Sequence, residues 1–275
     1  MNFKDLLISA VSVREDSVED LLRRSRPLFE EAFDGVRRPE AALAVVNSSL
    51  GDLLVATSTR GLVLVHFIDD ANDLTAALAN LRLAFDPIAS APEVSAVGEE
   101  VRRYLGGDAN ALRQKIDLSL VGSSFQSKVL EKLQGVPRGA VISYQALGAA
   151  LGAPNAARAV GNALHHNPLP IYVPCHRIIA SSGRLGGYGG GAARKLQLLR
   201  SEGFSLAELA TKLPANAIWA HSESKIYCRR NCPSAARANR ARMMFFAGAE
   251  EALRAGMRPC KTCRPPVKPG FRSWA

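Results

Sequence analysis

Four of the chain's five cysteines stand as two close pairs, Cys228-Arg229-Arg230-Asn231-Cys232 and Cys260-Lys261-Thr262-Cys263, with 27 residues between them. Spacings of C-x3-C and C-x2-C let each turn aim two sulfurs at one point, as a tetrahedral four-thiolate Zn2+ site requires. A unit this small gains much of its folding free energy from such an ion. Disulfides are the rival use of paired cysteines. They suit an oxidising compartment, and neither the odd cysteine count nor the N-terminal sequence, which lacks a charged, apolar and cleavable leader pattern, points to one. No apolar run approaches the length of a membrane span. The expectation is a cytoplasmic chain without a membrane segment, in which the zinc unit is either a structural knot or a site of chemistry.

The fifth cysteine, Cys175, is isolated, and 174 residues without any precede it. Charge divides the chain in the same way. Residues 1–120 carry 13 basic and 19 acidic side chains, a net −6, whereas residues 121–275 carry 22 basic and 6 acidic, a net +16. A basic excess of that density predicts a polyanionic partner, with nucleic acid foremost.

Residues 3–34 read as amphipathic helix around Leu6, Leu7, Val18, Leu21, Leu22 and Phe29. From Ala41 the texture turns to short β-rich runs, with Leu53–Ala56 and Leu62–Phe67 as a hairpin, then helices over 72–84 and 92–105. Ser123-Ser124 precedes a helix over Phe125–Leu133, Ser143 caps Tyr144–Leu151, and Asn155 opens a small-residue helix through Leu164. The last two, across Gly152-Ala153-Pro154, have the form of a helix-turn-helix, a form shared with many helical hairpins. A linker and a first strand follow over 211–220, and the tail from Pro265 reads as poorly structured.

Pro174-Cys175-His176-Arg177 carries the most chemistry. Prolines stiffen the backbone, and the adjacent imidazole and basic surroundings suit a low-pKa thiolate. On a strand, neighbouring side chains point to opposite faces, so His176 reaches Cys175 only through a bend or a bridging water. Glu202 is the candidate acid that would orient the imidazole.

These residues, together with Val141-Ile142-Ser143-Tyr144, Pro154 through Gly161, Gly187-Tyr188-Gly189-Gly190, Lys195 through Leu199 and Glu202-Gly203, closely resemble the O6-alkylguanine-DNA alkyltransferases, also called methylated-DNA–protein-cysteine methyltransferases. The resemblance covers roughly residues 122–205, and residues 41–118 resemble that family's ribonuclease-H-like N-terminal domain. It implies that Cys175 is the alkyl acceptor, His176 activates it through water, Glu202 orients His176, and Tyr144 protonates the departing guanine. It implies that Arg158 fills the space of a flipped nucleotide from the minor groove, with the short Ala156, Ala157, Ala159 and Gly161 letting the helix approach. Asn167 becomes a hinge between that helix and the active-site loop. Tyr144, Tyr188, Gly189 and Lys195 would form the base pocket, with Gly189 standing where relatives often have serine. The product thioether has no route back, so each molecule acts once, without S-adenosylmethionine.

The segments around the four paired cysteines, with Phe245 through Leu253 and Gly256-Met257-Arg258-Pro259, resemble the metal-binding domain of the adaptive-response Ada protein. By that match Cys228, Cys232, Cys260 and Cys263 hold one Zn2+, and Cys228 is a second acceptor, for methyl groups on DNA phosphotriesters. Arg229, Arg230, Arg237, Arg240, Arg242, Arg258, Lys261 and Arg264 would face phosphate. Two departures stand out: the zinc unit follows the alkyltransferase unit instead of preceding it, and Glu223 introduces an anion before Cys228.

The expected fold class is α+β: a helical extension over 1–40, a ribonuclease-H-like unit over 41–118, a helical catalytic domain with a helix-turn-helix over 119–208, a small α/β zinc domain over 209–268, and a tail over 269–275. The expected function is single-turnover, direct-reversal repair of O6-alkylguanine, and of O4-methylthymine, in double-stranded DNA by a monomer associated with the nucleoid. The alternative is a non-enzymatic binder of alkylated DNA whose zinc domain serves structure or transcription.

Overall fold

The computed structural model describes residues 38–265 apart from Ser90, 182–184, 205–217, Ser222, 230–231, 237–242 and Ala247. The expected helices of residues 3–34, the linker before Ile218, the tail beyond Pro265, and Arg230, Arg237, Arg240 and Arg242 lie outside the described residues. The chain divides into two compact units, one of residues 1–122 with 168–172, the other of 123–167 with 173–275.

In the first unit, strands β1 (Glu40–Ser48), β2 (Gly51–Ser58) and β3 (Gly61–Ile68) form an antiparallel meander. β4 (Asp86–Ala89) adds in parallel to β1, giving the order β3-β2-β1-β4. A parallel neighbour needs a crossover, and helix α1 (Ala71–Arg82) supplies it. Asp70 caps α1 by accepting from the Asn72 and Asp73 amides, while Asp73 reaches back to complete a capping box. Helix α2 (Ala91–Leu105) follows β4. Leu43, Leu54, Val63, Leu74, Leu78, Leu81 and Phe85 form one side of the core. The hairpin and both helices appear within a few residues of their sequence expectations. The separate stretch 168–172 is fixed here because the Val65 amide donates to the Pro168 carbonyl at 2.8 Å and the Tyr172 hydroxyl to Glu100 at 2.7 Å.

The second unit begins with α3 (Ser124–Gln134), capped by Ser123, whose hydroxyl accepts from the Gln126 amide. Strand β5 (Ala140–Ser143) leads into α4 (Tyr144–Ala150), where Ser143 is the cap as expected. Helix α5 (Ala157–His165) completes the helix-turn-helix. Asn155 does not open it. The helix starts after Ala156, which has no side-chain acceptor, so its first amides lack a side-chain cap.

Cys175–Arg177 forms a single 3-10 turn and β6 (Ile178–Ile179) follows, before α6 (Gly191–Ser201). The cysteine region then adds β7 (Ile218–His221), β8 (Ile226–Cys228), α7 (Pro233–Ala236), β9 (Met243–Phe246), α8 (Ala249–Arg254) and β10 (Arg258–Pro259). Its strands do not close on themselves. They continue β5 and β6 in one six-stranded sheet ordered β10-β8-β7-β9-β5-β6, in which β9 pairs antiparallel with β5 at Ala140–Phe246 and Val141–Phe245.

Candidate functional site

Asn167, after the C-terminus of α5, sends its side-chain amide to the Val173 carbonyl at 3.0 Å and to Cys175 Sγ at 3.1 Å. Pro174 precedes the 3-10 turn, so Cys175 and His176 lie on a bend and not on an extended strand. Both side chains are buried, with His176 wholly enclosed. Its Nε2 lies 2.6 Å from Glu202 Oε1, at the C-terminal end of α6. The Gly139 amide donates to Glu202 Oε2 at 3.1 Å, and Arg177 donates Nε and Nη2 to the same carboxylate at 3.0 to 3.2 Å. Arg177 belongs to the Pro174–Arg177 motif, and sequence alone gives it no role there. Its guanidinium fork provides the compensating charge that lets a carboxylate remain ionised inside the protein.

The electrostatics assign the proton positions. Burial opposes ionisation of Glu202, but Arg177 and His176 outweigh it and hold the carboxyl well below the usual carboxylate range. Burial keeps the His176 imidazole neutral, with Glu202 pulling the other way. An ionised carboxylate only accepts, so Nε2 carries the ring proton and Nδ1 has the lone pair. Nδ1 is buried and makes no hydrogen bond among the described residues. The expected low-pKa thiolate is corrected here: burial pushes the Cys175 thiol up, and the Asn167 amide and Lys195 charge offset only part of that. A thiol held in this way keeps its proton until a base removes it.

Lys195 is fully buried and spends its ammonium donors on the carbonyls of Ile178 (2.6 Å), Leu185 (2.6 Å) and Gly187 (3.0 Å). Burial lowers it to about 8, against the pull of Cys175. The Tyr144 hydroxyl donates to the same Gly187 carbonyl at 3.3 Å, and burial, then Cys175, raise its pKa, so it stays protonated. Tyr188 is half-buried and Gly189 exposed on the loop that Lys195 braces. On α5, Arg158 and Ala159 are exposed and Ala157 half-buried, with Ala156 half-buried just before the helix. Gly161 turns towards Tyr144, where an added Cβ would lie 3.7 Å from the ring.

The Sγ atoms of Cys228, Cys232, Cys260 and Cys263 all lie within 4.8 Å of one another, the first three buried and the last half-buried. Tetrahedral bonds of about 2.3 Å place sulfurs roughly 3.8 Å apart; Cys232 and Cys260 stand at 3.9 Å. The backbone amides of Cys263 and Thr262 lower the Cys260 thiol to about 6. The Arg229 amide points at Cys263 Sγ, 3.3 Å away. This is a four-thiolate site for Zn2+. Beside it opens a cavity of about 480 Å³ lined by Cys228, His221, Ser224, Arg258 and Lys261 among others. Among the described residues, no helix is long and apolar enough to cross a membrane.

The family model for the DNA-binding domain of 6-O-methylguanine DNA methyltransferase matches residues 124–204, and that for the metal-binding domain of Ada matches 211–266. A methylated-DNA–protein-cysteine methyltransferase of Mycolicibacterium paratuberculosis is 48% identical over 104 residues, 38% of this chain and 62% of the relative. The bifunctional transcriptional activator and DNA repair enzyme Ada of Escherichia coli is 37% identical over 164 residues, 58% of this chain and 44% of the relative. This chain thus spans less than two thirds of either protein. The crystal structure of Mycobacterium tuberculosis O6-methylguanine methyltransferase superposes with a TM-score of 0.50 at 33% identity, covering 59% of this chain and 92% of that one. The α+β class, the ribonuclease-H-like first unit and the helix-turn-helix accord with it.

Proposed function

This chain belongs to the methylated-DNA–protein-cysteine methyltransferase family, and on that premise we propose that it removes alkyl groups from guanine O6, and from thymine O4, in double-stranded DNA by moving them irreversibly to Cys175. The observation that carries the reading is the pairing of Asn167 with Cys175 next to the buried series His176–Glu202–Arg177, with His176 Nδ1 left open. Neutral His176 takes the thiol proton at Nδ1 through a water molecule. Glu202 stabilises the imidazolium that results, by the logic of an acid behind a catalytic histidine. The Cys175 sulfur attacks the alkyl carbon in line, forming S–C as C–O breaks, and Tyr144 gives a proton to the departing guanine. The methyl or larger group stays on sulfur, so one molecule repairs one base and no S-adenosylmethionine is consumed.

Arg158 occupies the space of the flipped nucleotide, while the short Ala156, Ala157 and Ala159 keep the helix slim enough for the minor groove and Gly161 makes room for the Tyr144 ring behind it. Tyr144, Tyr188, Gly189 and Lys195 form the wall and support of the base pocket, and Asn167 positions the acceptor. The protein acts as a monomer in the cytoplasm, on the chromosome, a setting supported by the DNA-binding family match and the basic second part.

Cys228, Cys232, Cys260 and Cys263 hold Zn2+, which when bound keeps the sulfurs anionic and nucleophilic. Cys228 is the second acceptor, for methyl groups on DNA phosphotriesters, a reading favoured by its position on a cavity that Arg258 and Lys261 also line. Cys175→Ala tests the main assignment. It should abolish transfer from O6-methylguanine in DNA and leave duplex binding unchanged, whereas retained base transfer would refute the acceptor.

A further inference from the structure

The cysteine-rich region and the base-repair centre share a sheet, and two contacts join them more closely than strand pairing alone. In the first, Phe245 of β9 packs on the cluster of Val141, Ile179, Leu199 and Phe204, which underlies β5, β6 and the end of α6. On its other side Phe245 meets Trp219 edge to face, with ring centroids 4.7 Å apart, and Trp219 packs against Cys228, Cys232 and Cys260. A continuous row of packed side chains therefore runs from the thiolate site to β5, which leads directly into Tyr144, and to β6, which directly follows the Cys175–Arg177 turn.

The second contact is at Gly139, in the left-handed region at φ 75°. A Cβ there would lie 2.6 Å from Glu251 Cγ of α8, so only glycine admits this approach. The amide of the same residue donates to Glu202, and the neighbouring Arg138 guanidinium donates to the Ser201 carbonyl. The turn pressed by α8 is thus the turn that helps hold the carboxylate behind His176. Without β9, β5 would be an edge strand paired through two residues to β6, and so short a ladder is marginal alone.

We infer that β9 and α8 clamp the base-repair centre, with Phe245 and Glu251 as positioning residues, so that integrity of the four-cysteine site sets the order of the Glu202–His176 pair. The clamp rests on the proposed base-repair reading for its kinetic consequence, though not for its structural one. Coupling of this kind requires only that the sheet and the 138–139 turn be ordered in one state and loosened in the other.

The test uses Phe245→Ala in the full chain, with Phe245→Leu as the conservative control. Single-turnover transfer from O6-methylguanine DNA should slow about tenfold in the alanine variant at saturating DNA, with half-saturation unchanged and leucine largely restoring the rate. Hydrogen exchange at the amides of 139–143 should accelerate, and the NMR signal of the His176 Nε2 proton should shift or broaden. Chelating the metal from the wild-type chain should accelerate the same amides, with protection returning on Zn2+ addition, and this arm remains informative if the alanine variant does not fold. Exchange at 139–143 unmoved by metal removal, or a variant with unchanged rate and exchange, would overturn the clamp. Wild-type protein that transfers nothing would instead refute the base-repair reading, while the exchange measurements would still judge the clamp.

Discussion

Asn167 donates its side-chain amide to Cys175 Sγ at 3.1 Å while also holding the Val173 carbonyl at 3.0 Å. One short side chain thus fixes both the position of the sulfur and the path of the loop that bears it. The bond to sulfur strengthens as the thiol ionises, because hydrogen bonds to an anion exceed those to its neutral form.

Asn167→Ala removes that stabilisation and one of the two hydrogen bonds at the Val173 carbonyl, which keeps only the Cys175 amide. Transfer should fall about 10- to 100-fold. Asn167 pulls the thiol pKa down, so its loss moves the alkaline rise of the rate to higher pH. Rate–pH profiles from single-turnover reactions check both effects. An unshifted profile would exclude a direct action on the sulfur.

Glu202→Gln keeps an acceptor near His176 but deletes the charge that offsets the imidazolium and Arg177. The rate should drop by two orders of magnitude or more, and leaving the buried Arg177 guanidinium without its counter-charge should cost about 3–5 kcal/mol. The folded carboxyl is held below its unfolded value of about 4.3, so the stability it contributes is complete above that pH and fades as pH falls below it. Denaturant unfolding of both proteins should therefore give a gap that narrows in acid. A gap independent of pH would contradict an ionised Glu202.

Lys195 serves three carbonyls at the price of burying a cation. Its folded pKa of about 8 lies below the ordinary 10.5, so the unfolded chain binds more protons between those values. The stability of wild type relative to Lys195→Met should accordingly rise as pH increases through that window. Equal slopes for the two proteins would contradict the assignment. At neutral pH the methionine variant should also release the loop at Leu185 and Gly187, seen as faster hydrogen exchange there.

Much of this organisation is legible in sequence because the signals are local. Ser123 and Ser143 cap helices by bonding to amides three residues on, and the paired cysteines meet because close spacing leaves them little freedom. Asn155 misleads for the same reason: a good capping residue marks where a helix can begin, but the chain begins this one after Ala156. Arg177 lay in plain view within its motif, yet its partner Glu202 is 25 residues away and no periodicity relates them. The union of β9 with β5 was the least accessible feature. A four-residue apolar strand pairs with whichever edge tertiary packing presents, and sequence alone suggested a self-contained zinc domain.

The metal centre gives a spectroscopic prediction. Co2+ in the wild-type chain should show the intense thiolate-to-metal absorption of four sulfur ligands, and Cys232→Ser should weaken both that absorption and the affinity. Unchanged spectra would show that Cys232 is not a ligand.

The most direct test of the account is incubation with duplex DNA carrying an isotopically labelled methyl group on guanine O6, followed by peptide mass spectrometry of the full-length protein. One labelled methyl per molecule on the peptide containing Cys175, with no further turnover when DNA is in excess, is the predicted result. Label on another residue, or continued turnover beyond one equivalent, would contradict it.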